Sequence, residues 1–371
     1  MKLLDVLSEA VDKSLYSPAD VTTGSTHVRD SINHKRVMSI IMLALLPCIL
    51  MAMWNSGFQA NLTLNQMLAA GQIDALPALS DSTSIFANLT KGLWIFLPML
   101  IVVMLVQAVW VAIFASMRKK TIGAGFLVTS VLIVLLMPPT APLWQVAIAT
   151  SFGVVIGREI FGGVGMNFLN PALASWAFMS LAYSSSMVGE AVWTAVDGYT
   201  GATPLTMALN DGVSSLAAQG ISWQSAFLGT IPGSMGETSA LACLFGAFIL
   251  LVTGIASWRI IVSILIGVVG LSSVLCMFNP DAMTPAWHLV LGGLAFGVVF
   301  LATDHSASAM TVKGQWISGI LVGLLIVIVR VYNPTMPESV GIILLFGSVM
   351  APLIDRLVVN AHIKKRKMRH V

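Results

Sequence analysis

Residues 93–117 carry no charged side chain, and comparable apolar runs recur along the whole chain. A helix needs about 20 predominantly apolar residues to cross a hydrocarbon layer about 30 Å thick. The runs are long enough for that, and the rest of the composition offers no alternative. Charged residues make up 9% of the 371 positions and hydrophobic ones 57%, whereas soluble domains carry roughly 25% charged residues. Sixteen acids and nineteen bases cannot solvate a globular surface of this size. A soluble enzyme and a nucleic-acid binder are therefore excluded. The expected fold is an all-α polytopic membrane protein.

Hydropathy places about ten transmembrane helices at approximately 37–54, 93–117, 122–138, 143–157, 171–187, 238–257, 260–278, 286–303, 315–332 and 337–355. The third to fifth are short and interrupted by Pro138, Pro139, Pro142 and Pro171. Some are expected to be half-helices or re-entrant segments shielded by protein. With the N-terminus in the cytoplasm and ten alternating spans, every Lys and Arg falls inside except Lys91 and Arg330. That bias supports an even number of crossings with both termini cytoplasmic. The resulting organisation is an N-terminal segment 1–36, a first membrane half 37–187, an outer loop 188–237, a second half 238–356, and a basic tail 357–371.

Residues 1–36 are polar and the first apolar run is too long for an h-region, so no cleavable signal peptide is expected. Cys48, Cys243 and Cys276 lie far apart without a CxxC pair. A zinc ribbon or iron–sulfur cluster held by this chain alone is not expected. Two outer segments are long. Residues 56–91 read as a polar connection, and 188–237 hold Glu190, Asp197, Asp211 and Glu237 with no Lys or Arg. Trp193, Tyr199, Trp223 and Phe227 argue that the second folds rather than hangs as a disordered connector. A faint internal echo places Trp144, Trp258 and Trp287 nine or ten residues before Gly153-Val154-Val155, Gly267-Val268-Val269 and Gly297-Val298-Val299.

Charges inside or at the rims of spans are costly and mark functional candidates. Asp304 ends the eighth span, Asp355 closes the last, and Glu237 opens the sixth. Carboxylates with hydroxyls and freed carbonyls suit a hard cation such as Na⁺. For Asp355 a salt bridge to Arg356 is an equal alternative. Glu159 is expected to pair with Arg158, and Arg330 with Glu338. The stretch Gly162-Gly163-Val164-Gly165-Met166-Asn167-Phe168-Leu169-Asn170-Pro171 lacks the strand–turn–helix setting of a dinucleotide fingerprint. Asn167, Asn170 and Pro171 are instead expected to break a helix at membrane depth. The outer loop contains Asp197, Gly198, Tyr199, Thr200, Gly201, Ala202 and Thr203. On physics alone this is a turn with an accessible threonine.

That last stretch resembles the flavinylation signature Asp-Gly-x-Ser/Thr-Gly-Ala-Thr, in which a flavin transferase joins FMN through its phosphate to the final threonine, here Thr203. The wider chain resembles the B subunit of the bacterial Na⁺-translocating NADH:quinone oxidoreductase. The likeness runs through His27–Ser31, Asn167–Leu173, Ala302-Thr303-Asp304, Arg330–Pro334 and Ala351–Asp355, about nine-tenths of the chain. It implies an electron-transfer subunit of a redox-driven sodium pump in the bacterial inner membrane. Electrons would pass from NADH, through partner subunits of a six-subunit complex (the A, C, D, E and F types), to the covalent FMN, then riboflavin, and finally quinone. The flavin loop would face outward, packing on Trp193 or Tyr199. The lack of basic residues in that loop would lower the flavin potential. Asp304 and Asp355 would line the Na⁺ pathway.

The family pattern carries a Gly-Gly pair and then a Glu in the second span, near the quinone site. This chain departs from it, with Gln107, Ala108 and Val111 around Trp110. Trp110, Gly123 and Gly125 are what remain as candidates for the quinone region. The D subunit of the Rnf electron-transfer complex shares the flavin threonine but typically reads Asn-Pro-Phe-Asn-Pro where this chain has Asn167-Phe168-Leu169-Asn170-Pro171. A non-redox transporter or channel, with a urea-transporter-like repeat architecture, is the reading from a different class. It has no need of the Asp197–Thr203 motif.

Overall fold

In the computed structural model the described residues are 24–25, 34–73, 80–118, 125–187, 192–196, 198–279, 282–333 and 338–368. Among them the chain is helical and contains no strand, the outcome required where lipid offers backbone groups no hydrogen-bond partners. The helices are α1 (His34–Ala69), α2 (Ile85–Arg118), α3 (Phe126–Leu136), α4 (Leu143–Val154), α5 (Pro171–Ala182), α6 (Pro204–Asn210), α7 (Val213–Ala218), α8 (Trp223–Leu228), α9 (Ala240–Val252), α10 (Trp258–Phe278), α11 (Pro285–Val290), α12 (Leu294–Phe296), α13 (Val312–Tyr332) and α14 (Val340–Lys367). Two of them run on into π-helical turns: α4 through Val155–Glu159, and α12 through Gly297–Leu301. Among the described residues five helices, α1, α2, α10, α13 and α14, are long and apolar enough to cross a membrane, while α3, α5 and α9 are shorter apolar helices.

The first outer connection is shorter than expected. Residues 56–69 continue α1 and residues 85–91 already belong to α2, so much of 56–91 is helix rather than loop. The reason is packing. Gly57 and Gly92 let the two helices touch backbone to backbone; a Cβ on Gly92 would fall on the Met53 carbonyl, and one on Gly57 on the Asn88 carbonyl. Asn61 Nδ2 also donates to Asn88 Oδ1 at 2.8 Å. The same device joins α10 to α13, where Ser263 and Gly267 face Gly319 and Gly323. Small residues four apart allow close approach where no hydrophobic force pulls helices together. At the other end of the chain, the basic segment from Arg356 to Lys367 extends α14 as helix.

The described part of the loop 188–237 is folded. Helices α6, α7 and α8 enclose their own apolar cluster around Leu205, Leu216 and Ala226, which also takes in Met283, Val290 and Leu291 from the second half. Residues 231–237 then run back along the membrane core, where Met235 and Gly236 N–H donate to the Met137 and Leu135 carbonyls. Those carbonyls belong to the last turn and C-cap of α3, which the prolines at 138 and 139 keep from continuing. A second strap, Thr140 Oγ1 donating to the Val192 carbonyl at 2.6 Å, holds the start of the loop to the same corner.

Candidate functional site

Thr203 is the N-cap of α6, followed by Pro204 at the first helical position, the arrangement that best satisfies a helix start. Its Oγ1 accepts the Thr206 N–H at 3.2 Å and shares a 2.8 Å hydrogen bond with Thr206 Oγ1. The residue is only 2% exposed, which corrects the expectation of an accessible threonine. Gly198 has φ +80° and the ring of Tyr199 lies over Gly201, so the preceding turn folds back on itself. Thr200 and Ala202 complete that turn; Asp197 lies outside the described residues. Thr203 borders a small cleft together with Ser234, Glu237, Gly292 and Glu338. Ser234 and Glu338 also border a neighbouring cleft that reaches Trp193.

The floor of this region is a broken helix. α11 ends at Val290 and α12 begins at Leu294, with Gly292 at φ +69° in the gap. The break leaves backbone groups unpaired at both half-helix ends, and buried side chains complete them. Arg330, fully buried, donates from Nη1 to the His288 carbonyl and from Nη2 to the Leu291 carbonyl, both at 3.0 Å. The Glu338 carboxylate accepts the Gly293 N–H and lies beside the guanidinium. Glu237 closes the ring, its carboxylate against Gly293 and hydrogen-bonded to Ser234. A cation thus sits at a carbonyl end and carboxylates at an amide end, as the half-helix dipoles favour. Arg330 brings a positive charge from α13 behind the cleft that Thr203 borders, with Glu338 and Glu237 beside it.

The other carboxylates lie at the opposite end of α12. After the π-turn, Asp304 accepts from Ser306 N–H and Oγ at 3.1 and 3.0 Å and from Asn170 Nδ2 at 2.9 Å. Asn167 Nδ2 reaches Ser306 Oγ at 3.3 Å. Asn170 and Pro171 therefore start a helix rather than break one: Asn170 caps α5 through Ala172 and Leu173, with Pro171 at its first position. Asp355 lies on α14 and accepts from Met310 N–H at 2.7 Å, Thr311 N–H at 3.0 Å and Thr311 Oγ1. Its partners are thus the loop before α13 rather than Arg356. The loop 302–311 carries Asp304 at one end and is clasped by Asp355 at the other, and Glu237 is separated from both by the length of α12. Glu159 does pair with Arg158, at 3.0 Å, and also with Arg118 at 2.8 Å.

At the expected quinone region, Gln107 is fully buried and ties α2 to α3, donating to the Phe126 carbonyl at 3.3 Å and accepting from Ser130 Oγ at 2.9 Å. Trp110, one turn along, packs on Phe114. Gly125 lies next to the side chains of Met38 and His34, and Gly123 falls outside the described residues. The residue that departs from the family's glycine therefore makes an interhelical polar link.

Comparison with known proteins gives this geometry its context. The family described as NQR2, RnfD, RnfE matches residues 21–364. The chain belongs to that family. Among its relatives, the B subunit of the Na(+)-translocating NADH-quinone reductase of Ectopseudomonas mendocina is 47% identical over 98% of this chain and 94% of its own length. The corresponding B-type protein of Azotobacter vinelandii is 48% identical with the same coverage. That of Chromohalobacter salexigens is 45% identical over 98% of this chain and 91% of its own length. All three alignments cover 98% of this chain. Sequence reasoning missed Glu338 and Arg330 as neighbours of Thr203. The sequence signals were the expected Arg330–Glu338 pair at a span end and the pair Gly292-Gly293 inside an apolar run.

Proposed function

We propose that this chain is the B-type electron-transfer component of a redox-driven sodium pump, with FMN joined to Thr203 by a phosphoester. The observation that carries the reading is the place of Thr203: the last residue of the flavinylation signature lines a cleft that shares Ser234 and Glu338 with a second cleft reaching Trp193. The residues present fit the group. Thr206 N–H and Oγ1 already converge on Thr203 Oγ1 and are the donors nearest to an ester oxygen there. Trp193, 5% exposed, offers an aromatic wall, and Arg330 offers positive charge behind the Gly292–Gly293 break. A flavin held there supplies one- and two-electron transfer, while the protein holds it in place and tunes it. Because the hydroxyl is covered, attachment requires the turn 198–202 to lift away, and Gly198 and Gly201 are where it bends.

In this reading electrons arrive from NADH through partner subunits, including an FMN on a partner of C type. They leave through riboflavin to quinone near α2 and α3, around Trp110, Gly123 and Gly125. The A, C, D, E and F types complete a six-subunit complex, and a flavin transferase matures it. The complex sits in the bacterial inner membrane, with both termini of this chain cytoplasmic and the loop 188–237 outside. The contacts Arg118–Glu159, Asn170–Asp304 and Thr311–Asp355 join segments that this topology places together on the inner side. Asp304, Asp355 and Glu237 are assigned to the Na⁺ pathway, Glu237 at the outer end and the two aspartates at the inner end. The full-length likeness to relatives of the B type, at 45–48% identity, favours this over the Rnf D-type role.

The test is in-gel flavin fluorescence of the denatured chain co-expressed with its flavin transferase. A fluorescent wild-type band that disappears in Thr203→Ala establishes the attachment. A dark wild-type band beside a demonstrably active transferase would overturn it and return the chain to the transporter class.

A further inference from the structure

We propose that the cleft under Thr203 is itself a binding site for one dehydrated sodium ion, formed by Glu237, Glu338 and the Thr238 hydroxyl around the break between α11 and α12. The proposal adds Glu338 and Thr238 to the sodium reading and does not depend on the flavin.

Three observations support it. The first is charge. Glu237 and Glu338 both face Arg330, so two carboxyl groups share a single guanidinium in this buried cluster. A second ionised carboxylate out of water is costly unless a cation or a proton accompanies it. Among the described residues no group of three His, Cys, Asp or Glu side chains forms a divalent-metal cage.

The second observation is unmet hydrogen bonding. Among the described residues eight buried side-chain polar atoms lack a partner, and two of them are hydroxyl oxygens of this region, Thr238 Oγ1 and Ser339 Oγ. Thr238 is 4% exposed and borders the cleft directly. Buried polar atoms are almost always partnered, so a cluster of exceptions marks a place where something else binds. A hydroxyl oxygen and carboxylate oxygens are the hard donors that Na⁺ shares with other s-block cations.

The third is space and backbone. At the centre of the cleft about 20 Å³ is open, room for a single ion or water. The cleft adjoins half-helix ends, where discontinuous helices present their terminal groups to ions. Gly292 and Gly293 keep the approach open, because a Cβ on either would meet Leu205, the Arg330 guanidinium or the Glu237 carboxylate.

The experiment is equilibrium binding of radioactive ²²Na⁺ to the purified full-length chain carrying Asp304→Asn and Asp355→Asn, which removes the inner carboxylates. Saturable binding of about one ion is expected to survive in this background, and adding Glu338→Gln or Thr238→Val should weaken it at least about tenfold. The Thr238→Val change is isosteric and guards against an unfolded Glu338 variant. Binding already lost in the double variant, or untouched by both Glu338→Gln and Thr238→Val, overturns the site. So does a Glu338→Gln effect on proton uptake alone, which would make the cluster a protonation site. A dark flavin band with sodium binding retained would sink only the flavin reading. A fluorescent band without this binding would sink only the present one.

Discussion

The side chain of Asn170 joins two loops 134 residues apart: its oxygen caps α5 through the Ala172 and Leu173 N–H groups, while its nitrogen donates to Asp304 at 2.9 Å. One amide thus couples the start of a helix in the first half to a carboxylate in the second. The two loops are built alike. Each follows a π-helical turn that begins at or beside a Gly-Val-Val triplet, and each ends in a capped helix, by Asn170 for α5 and by Thr311 for α13. π-turns recur at functional sites because they re-aim the groups that follow them.

Asn170→Ala should weaken sodium activation of electron transfer and leave the fluorescent flavin band intact. A hydrogen bond to a charged group contributes about 1.5–3 kcal/mol, so the sodium concentration for half-maximal rate should rise about tenfold or more. An unchanged sodium titration in the assembled complex would show that Asp304 needs no such partner.

Asp355→Ala removes the acceptor for two N–H groups and one hydroxyl of the loop before α13. Sodium-stimulated turnover is expected to fall while flavin attachment is unaffected. Asp355→Asn keeps one carbonyl acceptor and should lie between the two. Identical sodium dependence in all three proteins would remove Asp355 from the pathway.

Arg330→Met should lower the thermal midpoint of the detergent-solubilised chain sharply. It strands the His288 and Leu291 carbonyls and leaves the carboxylates of Glu237 and Glu338 without their counter-charge, a class of change that costs about 3–5 kcal/mol. Arg330→Lys, which retains charge but cannot fork to both carbonyls, should recover only part of the loss. Wild-type stability in the Met variant would contradict the role assigned to the guanidinium.

Gly323→Val places a branched side chain against the Ile264 carbonyl in the α10–α13 contact. Overpacking of this kind costs typically about 1–3 kcal/mol. The expected result is a lower midpoint than that of a control change to valine at Gly270, where a Cβ meets open space. Equal midpoints would mean that the two helices part without cost.

The helical class and most span positions were legible in the sequence because they follow from local rules. A run without charge must leave water, and in lipid it must satisfy its own backbone. The Trp–Gly-Val-Val echo was visible too, and two of its three copies, at Gly153 and Gly297, lie at π-turns, while the copy at Gly267 lies within regular α10. Other local readings failed where a distant segment intervened. Residues 56–69 are polar enough to look like a loop, yet α2 packs against them through Gly57 and Gly92. The turn 198–202 looks open in sequence, yet Thr203 is 2% exposed and its hydroxyl caps its own helix.

What the sequence determined by itself, then, is membrane embedding, the candidate carboxylates and the threonine within its motif, since each depends on residue type and near neighbours. Only the tertiary structure decided their company. It separated Glu237 from Asp304 and Asp355 by the length of α12, and it brought Arg330 and Glu338 to the helix break beneath Thr203. The physical reason is that a break inside a buried helix frees carbonyls and amides that must find charged or polar partners, and those partners are chosen by packing rather than by proximity in the chain.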